Sequence, residues 1–164
     1  MKKFTSPKQK IGLAGERFAE MFLVKHGFTV VESNFSCRFG EIDIITNKNN
    51  RIHFIEVKSI TVPRETEKTL LGSTKANVSH ETEKNVAHKN VSRETFLKEN
   101  RKPTNPFQNV SFFKKKRLLK TAEIYMNLKN VPRETRWQVD AVGVYLNEDE
   151  TLGRIEYLEN ITIQ

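Results

Sequence analysis

Cysteine occurs once in the 164 residues, at Cys37, so no disulfide can form within the chain, which fits a reducing compartment. No recognisable motif sets a histidine beside that thiol, and Cys37 therefore lacks the partner that activates a catalytic thiolate. Of the four histidines, His80 and His88 show no zinc-ligand spacing with a cysteine or a third histidine. No apolar run approaches the roughly 18 residues needed to cross a bilayer, so no membrane partner is expected. The segment Met1 to Lys10 is basic, but Gly12, Glu16, Arg17 and Glu20 break up the residues after it. That pattern lacks the apolar stretch of a secretory signal, and a cytoplasmic protein is expected. Apolar residues make up only 37%, partly because one segment is strongly polar; the length still suffices for one core, and a single domain over 1–164 is expected.

What is present is charge in unusual places. Gly40-Glu41-Ile42-Asp43-Ile44-Ile45 and Ile52-His53-Phe54-Ile55-Glu56-Val57-Lys58 read as neighbouring strands joined by the turn-forming Asn47-Lys48-Asn49-Asn50. With a period of two, Glu41 and Asp43 share one face, as do Glu56 and Lys58. Two carboxylates and an amine then converge where a sheet normally buries hydrocarbon. Buried charge is costly unless it is paired or bound to a metal, so the pattern suggests a divalent-metal site for phosphodiester hydrolysis. Asp43 and Glu56 would supply the hard oxygen ligands for Mg²⁺ or Mn²⁺, and Lys58 would orient the attacking water or stabilise the charged transition state. The bland alternative is an exposed Glu56–Lys58 ion pair with Asp43 in solvent.

The net charge is +8, from 28 basic and 20 acidic residues, which favours a nucleic-acid partner. Lys114, Lys115, Lys116, Arg117 and Lys120 cluster at the start of a predicted helix whose apolar stripe is Leu118, Leu119, Ala122, Tyr125 and Met126. Cations at a helix N-terminus oppose the macrodipole. Phosphate contact would compensate; a solvated basic face is the plainer alternative. An earlier helix is predicted from about Pro7 to His26, with Gly27 as its stop and Glu16 at the margin of its buried side. Strands are predicted at Phe28–Val31, Gly40–Thr46, Arg51–Thr61, Arg136–Leu146 and Arg154–Ile163. Asp140, inside an apolar strand, is assigned a structural role in preference to a supporting one at the site.

Between the third strand and the basic helix, residues 62–109 read as a polar insert. It contains Val62-Pro-Arg-Glu-Thr66, Val78-Ser-His-Glu-Thr82 and Val91-Ser-Arg-Glu-Thr95, with a fourth copy at Val131-Pro-Arg-Glu-Thr135. The copies start 16, 13 and 40 residues apart, and a solenoid needs a fixed period.

The motifs also occur in a telling order. Gly12-Leu-Ala-Gly15-Glu16-Arg-Phe-Ala19, Gly27, Asn34-Phe-Ser-Cys-Arg38-Phe-Gly40-Glu41-Ile-Asp43, Phe54-Ile-Glu56-Val-Lys58 and Val139-Asp140 resemble the successive motifs of the bacterial YraN family. That family is similar to archaeal Holliday junction resolvases and to the PD-(D/E)xK nucleases. The resemblance covers residues 10–58 and about 110–145. It implies an α/β restriction-endonuclease-like core of order α-β-β-β-α-β, with a central mixed sheet flanked by helices. It also implies that Glu16 joins Asp43, Glu56 and Lys58 as a catalytic residue, with Arg38 among the DNA contacts and Lys114 the lysine that opens the second helix. DNA, branched forms included, is the implied substrate and a homodimer the implied assembly. Ser36 departs from the pattern, since the family usually carries arginine there. A DNA-binding module that does not cleave, and an interaction protein recruiting a partner through its insert, are the rival functions.

Overall fold

The computed structural model describes residues 6–62, 105–109 and 111–162. Helix α1 (Pro7–Lys25) begins where Ser6 accepts from the Gln9 backbone N–H and the Gln9 side chain reciprocates to the Ser6 N–H, a capping box that satisfies two end groups. Gly15, Ala19 and Leu23, four residues apart, form its buried seam. The helix closes at Gly27, whose φ of +83° allows the Gly27 N–H to reach Val24 O and the Phe28 N–H to reach Leu23 O, both at 3.0 Å.

Among the described residues five strands form a single sheet of order β1-β2-β3-β4-β5: β1 (Thr29–Cys37), β2 (Gly40–Lys48), β3 (Arg51–Thr61), β4 (Arg136–Leu146) and β5 (Leu152–Leu158). The β3–β4 pair is parallel and the other pairs are antiparallel, so the sheet is mixed. Asn49 and Asn50, both at positive φ, turn β2 into β3 as a two-residue hairpin loop does, and this sets Lys48 opposite Arg51. Helix α2 (Phe112–Leu128), capped by Ser111, lies in the crossover between the parallel strands.

The two helices cover opposite faces. Ala19 and Leu23 of α1 pack with Ile44, Ile55, Val57, Val142 and Val144, whereas Leu118, Ala122 and Tyr125 of α2 pack with Ile42, Ile45, Phe54, Val139 and Ala141. This is an α/β fold with the expected α-β-β-β-α-β order and a fifth strand at its end.

The boundaries differ from the sequence reading by a residue or two at the end of α1, the start of β1 and the end of β2, which runs to Lys48, and by more elsewhere. β1 continues past Val31 to Cys37 because it pairs with β2 as far as Gly40; its exposed, polar second half gave little alternation to detect. β5 starts at Leu152 and stops at Leu158, after which the chain turns so that the Ile161 N–H reaches Val139 O at 2.9 Å. α2 begins at Phe112, ahead of the lysines. Of the proposed insert, the Val62 N–H bonds to Leu146 O, and Pro106–Asn109 form a 3₁₀ turn with Pro106 buried. Most of the insert, with its three repeat copies, lies outside the described residues.

Candidate metal and nucleic-acid site

The site arises from a fork in the sheet. The β2–β3 ladder runs from Lys48–Arg51 to Ile44–Ile55 and ends there, while β3 stays paired to β4 through Thr61. One step beyond the last rung, Asp43 comes opposite Glu56. β2 rotates at this point, for Ile42 joins the core under α2 while Ile44, two residues on, joins the core under α1. The Val57 N–H, left without a β2 carbonyl, donates to Asp43 Oδ2 at 2.6 Å. The turn thus converts a lost ladder bond into an anchor for the carboxylate.

Glu56 is 1% exposed, which makes its charge expensive unless compensated. Its Oε1 accepts from Lys58 of the same strand and forms an ion pair with Lys114 Nζ of α2 at 3.1 Å. Its Oε2 is buried and has no hydrogen-bond partner among the described residues. Asp43, half-buried, is pushed up to about 7, first by burial and then by the Glu56 charge, against the opposing pull of the Val57 N–H and Lys58. Glu16 adds a smaller repulsion to Asp43, and is itself raised by burial and by Glu41, against a hydrogen bond from Asn34. Glu16 and Lys58 line one groove of about 610 Å³ between α1 and β3. The close approach of that helix needs Gly15, since a Cβ there would lie 1.6 Å from Ser59 Oγ.

The structure therefore gathers Asp43, Glu56 and Lys58 at one fork, places Glu16 within electrostatic reach, and adds Lys114. Among the described residues no group of three or more His, Cys, Asp or Glu is arranged to hold a metal ion. The donor set nonetheless fits a divalent ion of the magnesium type, which is commonly held by one or two carboxylates with water and phosphate completing the shell. Two mutually repelling carboxylates and an orphaned carboxylate oxygen are what such a cation would satisfy.

The other basic residues divide by role. Arg117 Nε donates to Phe39 O at 3.1 Å, tying the β1–β2 turn to α2, and the Arg38 guanidinium lies over the Phe39 ring at 4.6 Å. Lys120 pairs with Glu123 at 3.1 Å, both exposed. Lys116 is exposed and lines a shallow hollow with Phe39, Phe113 and Arg117, while Lys115 is half-buried. Sequence reasoning overlooked the adjoining aromatics: Phe112 and Phe113 are 73% and 75% exposed and meet edge to face at 5.9 Å. The signal was available as two large apolar residues placed directly before a lysine run and outside the α2 stripe.

Asp140 stands apart from the fork. Its Oδ2 accepts from His53 Nδ1 and the Tyr157 hydroxyl, each at 2.7 Å, and its Oδ1 from Gln138 Nε2 at 2.8 Å and the Asn160 N–H at 2.7 Å. Burial pushes its carboxyl up, but these four bonds outweigh burial and hold it below the usual range. This is a structural hub, as the sequence suggested, though its pairing with His53 was not foreseen.

Comparison with known proteins identifies a family. The model of the uncharacterised protein family UPF0102, the YraN family, matches residues 15–93. A UPF0102 protein of Campylobacter hominis is 31% identical over 154 residues, covering 94% of this chain and 95% of its own. One of Caldanaerobacter subterraneus subsp. tengcongensis is 27% identical over 154 residues, covering 93% and 94%. A Nitratiruptor protein of the same description is 60% identical over 48 residues, which span 29% of this chain and 43% of that protein.

Proposed function

The chain belongs to the uncharacterised protein family UPF0102, and from that premise and the fork geometry we propose that it is a metal-dependent nuclease acting on DNA phosphodiester bonds. The observation that carries this reading is a buried Glu56 with one oxygen shared by two lysines and the other unpartnered, beside the Asp43 carboxyl that burial first and the Glu56 charge second push up to about 7. A packing role alone would leave these charges at a cost with no return.

Asp43 and Glu56 would hold Mg²⁺ or Mn²⁺, which when bound supplies an activated water and offsets charge on the phosphate. The protein groups do the rest. The Val57 N–H fixes Asp43, so its carboxylate is aimed before substrate arrives. Lys58 and Lys114, brought to one oxygen of Glu56, present ammonium donors where negative charge accumulates on a phosphate undergoing in-line attack. Glu16, raised by burial and lining the groove with Lys58, would exchange a proton with the attacking water. Lys116 and the exposed Phe112–Phe113 pair support strand binding by combining charge with stacking surface, an arrangement suited to the unpaired bases of branched or single-stranded substrates.

The test is incubation of the pure protein with labelled branched, linear and single-stranded DNA in Mg²⁺, Mn²⁺ or EDTA. Metal-dependent cutting that disappears in Lys58→Ala, with binding retained, is the expected result. Binding without cutting under every metal condition would favour the DNA-binding module instead.

A further inference from the structure

A second cavity lies at the hairpin end of β3, away from the fork. It has a volume of about 490 Å³, within the range of small-ligand sites, and is lined by Lys48, Arg51, His53 and Arg136 together with the rings of Phe28 and Tyr157. Among the described residues the one carboxylate lining it, Glu159, already accepts from Gln138 Nε2 at 3.1 Å. His26, also at the wall, has its carbonyl taken by Lys48 Nζ at 2.8 Å. Cationic groups therefore outnumber anionic ones around an open space.

The histidine is the most deliberate feature. His53 is 5% exposed, meets Phe28 edge to face at 5.0 Å, and has Nδ1 committed to the fully buried Asp140, which three further donors hold in place. That bond fixes the ring and leaves Nε2 without a partner among the described residues. Arg136 is exposed and has no partner among the described residues, while Arg51 spends one donor on Gln138 Oε1 at 2.6 Å and retains the others. Two guanidinium forks and an ammonium offer more donors than a carboxylate can accept, whereas the three terminal oxygens of a phosphate monoester match them.

We propose that this cavity, formed by His53, Arg51, Arg136 and Lys48 beside Phe28 and Tyr157, is a binding site for a phosphate monoester carried by a nucleoside. The phosphate sits among the cations, and the sugar or base lies against the two rings. The inference is independent of the nuclease reading, and cleavage need not occur for it to hold.

Titration calorimetry of the full chain with adenosine 5′-monophosphate, inorganic phosphate and adenosine tests it. Saturable binding of the monophosphate, weaker binding of phosphate and none of adenosine are expected. Arg136→Ala, at an exposed position where folding is not at stake, should weaken monophosphate binding about tenfold, as loss of one charged hydrogen bond does. Lys58→Ala should leave it unchanged, which separates this site from phosphate capture at the fork. No saturable binding, equal affinity in Arg136→Ala, or loss in Lys58→Ala would each overturn the proposal. A 5′-phosphorylated oligonucleotide compared with its 5′-hydroxyl form assigns the source: preference for the phosphorylated strand over the free monophosphate identifies a strand end, and the reverse a free nucleotide.

Discussion

Asp43 and Asp140 are both carboxylates embedded in the same sheet, one beside each end of the buried stretch of β3, and their surroundings treat them in opposite ways. Asp140 accepts four hydrogen bonds, including one from His53, and its carboxyl is held below the usual range even though burial works against it. Asp43 accepts one backbone N–H and is pushed up to about 7, first by burial and then by the charge of Glu56. Complete satisfaction of a buried charge ties elements together; incomplete satisfaction raises the free energy of the empty site in a way that a bound cation relieves. By that criterion the Asp140 hub holds β3, β4 and β5 in register, and the Asp43–Glu56 fork keeps the unsatisfied charge that the proposed cation would relieve.

The comparison is broken most directly by cleavage. Asp43→Asn and Lys58→Ala should each lower metal-dependent cutting by about 10²-fold or more, the size seen when a charge-stabilising group is removed from a reaction centre, with little loss of fold stability by circular dichroism. Asp140→Ala should do the reverse: it strands His53, Tyr157, Gln138 and the Asn160 N–H, and should cost about 3 kcal/mol in a urea melt. If Asp43→Asn proves as destabilising as Asp140→Ala, the contrast fails. Gly15→Ala comes next, because the new Cβ would collide with Ser59. It should cost about 1–3 kcal/mol and shift α1, so that any cutting activity falls along with stability.

The smallest effect is in pH. From about pH 4 to about pH 7 the folded chain keeps a proton on Asp43 that the unfolded chain has released, so this group makes stability decline as pH rises through that window and level off above it. The expected amplitude is about 1–2 kcal/mol, reduced by the solvent reaching a half-buried group. Asp140 has the opposite sign, since its lowered carboxyl contributes stability above the unfolded value that is lost as pH falls through the folded one. Thermal melts of the parent and of Asp43→Asn across pH 4–8 should show the decline flattened in the variant. Mg²⁺ should raise the parent's Tm more at pH 8 than at pH 5.

Some of this was legible in the sequence because the signal was local. β3 and β4 have the predicted bounds, Arg51–Thr61 and Arg136–Leu146, since each is an apolar run long enough to be buried on both faces. The Asn49-Asn50 turn fixes the β2–β3 register, which runs to Ile44–Ile55 and so brings Asp43 to the part of β3 that carries Glu56. β1 was half missed because an edge strand with polar residues outward carries weak periodicity. The position of Lys114 against Glu56, with Arg117 on Phe39, could not be read from a lysine run whose register on the helix was open.

Taken alone, the order of residues determined the elements, the mixed α/β class, the family and the carboxylate pair with its neighbouring lysine, because hairpin register and apolar patterning act over a few residues at a time. Only the folded chain decided where β2 parts from β3, which oxygen of Glu56 goes unpartnered, how Glu16 comes within reach, and that His53 meets Asp140 across 87 positions. Those facts depend on how the described helices and strands pack at once. Coulomb and desolvation energies depend on distance and burial in space, and separation along the chain specifies neither.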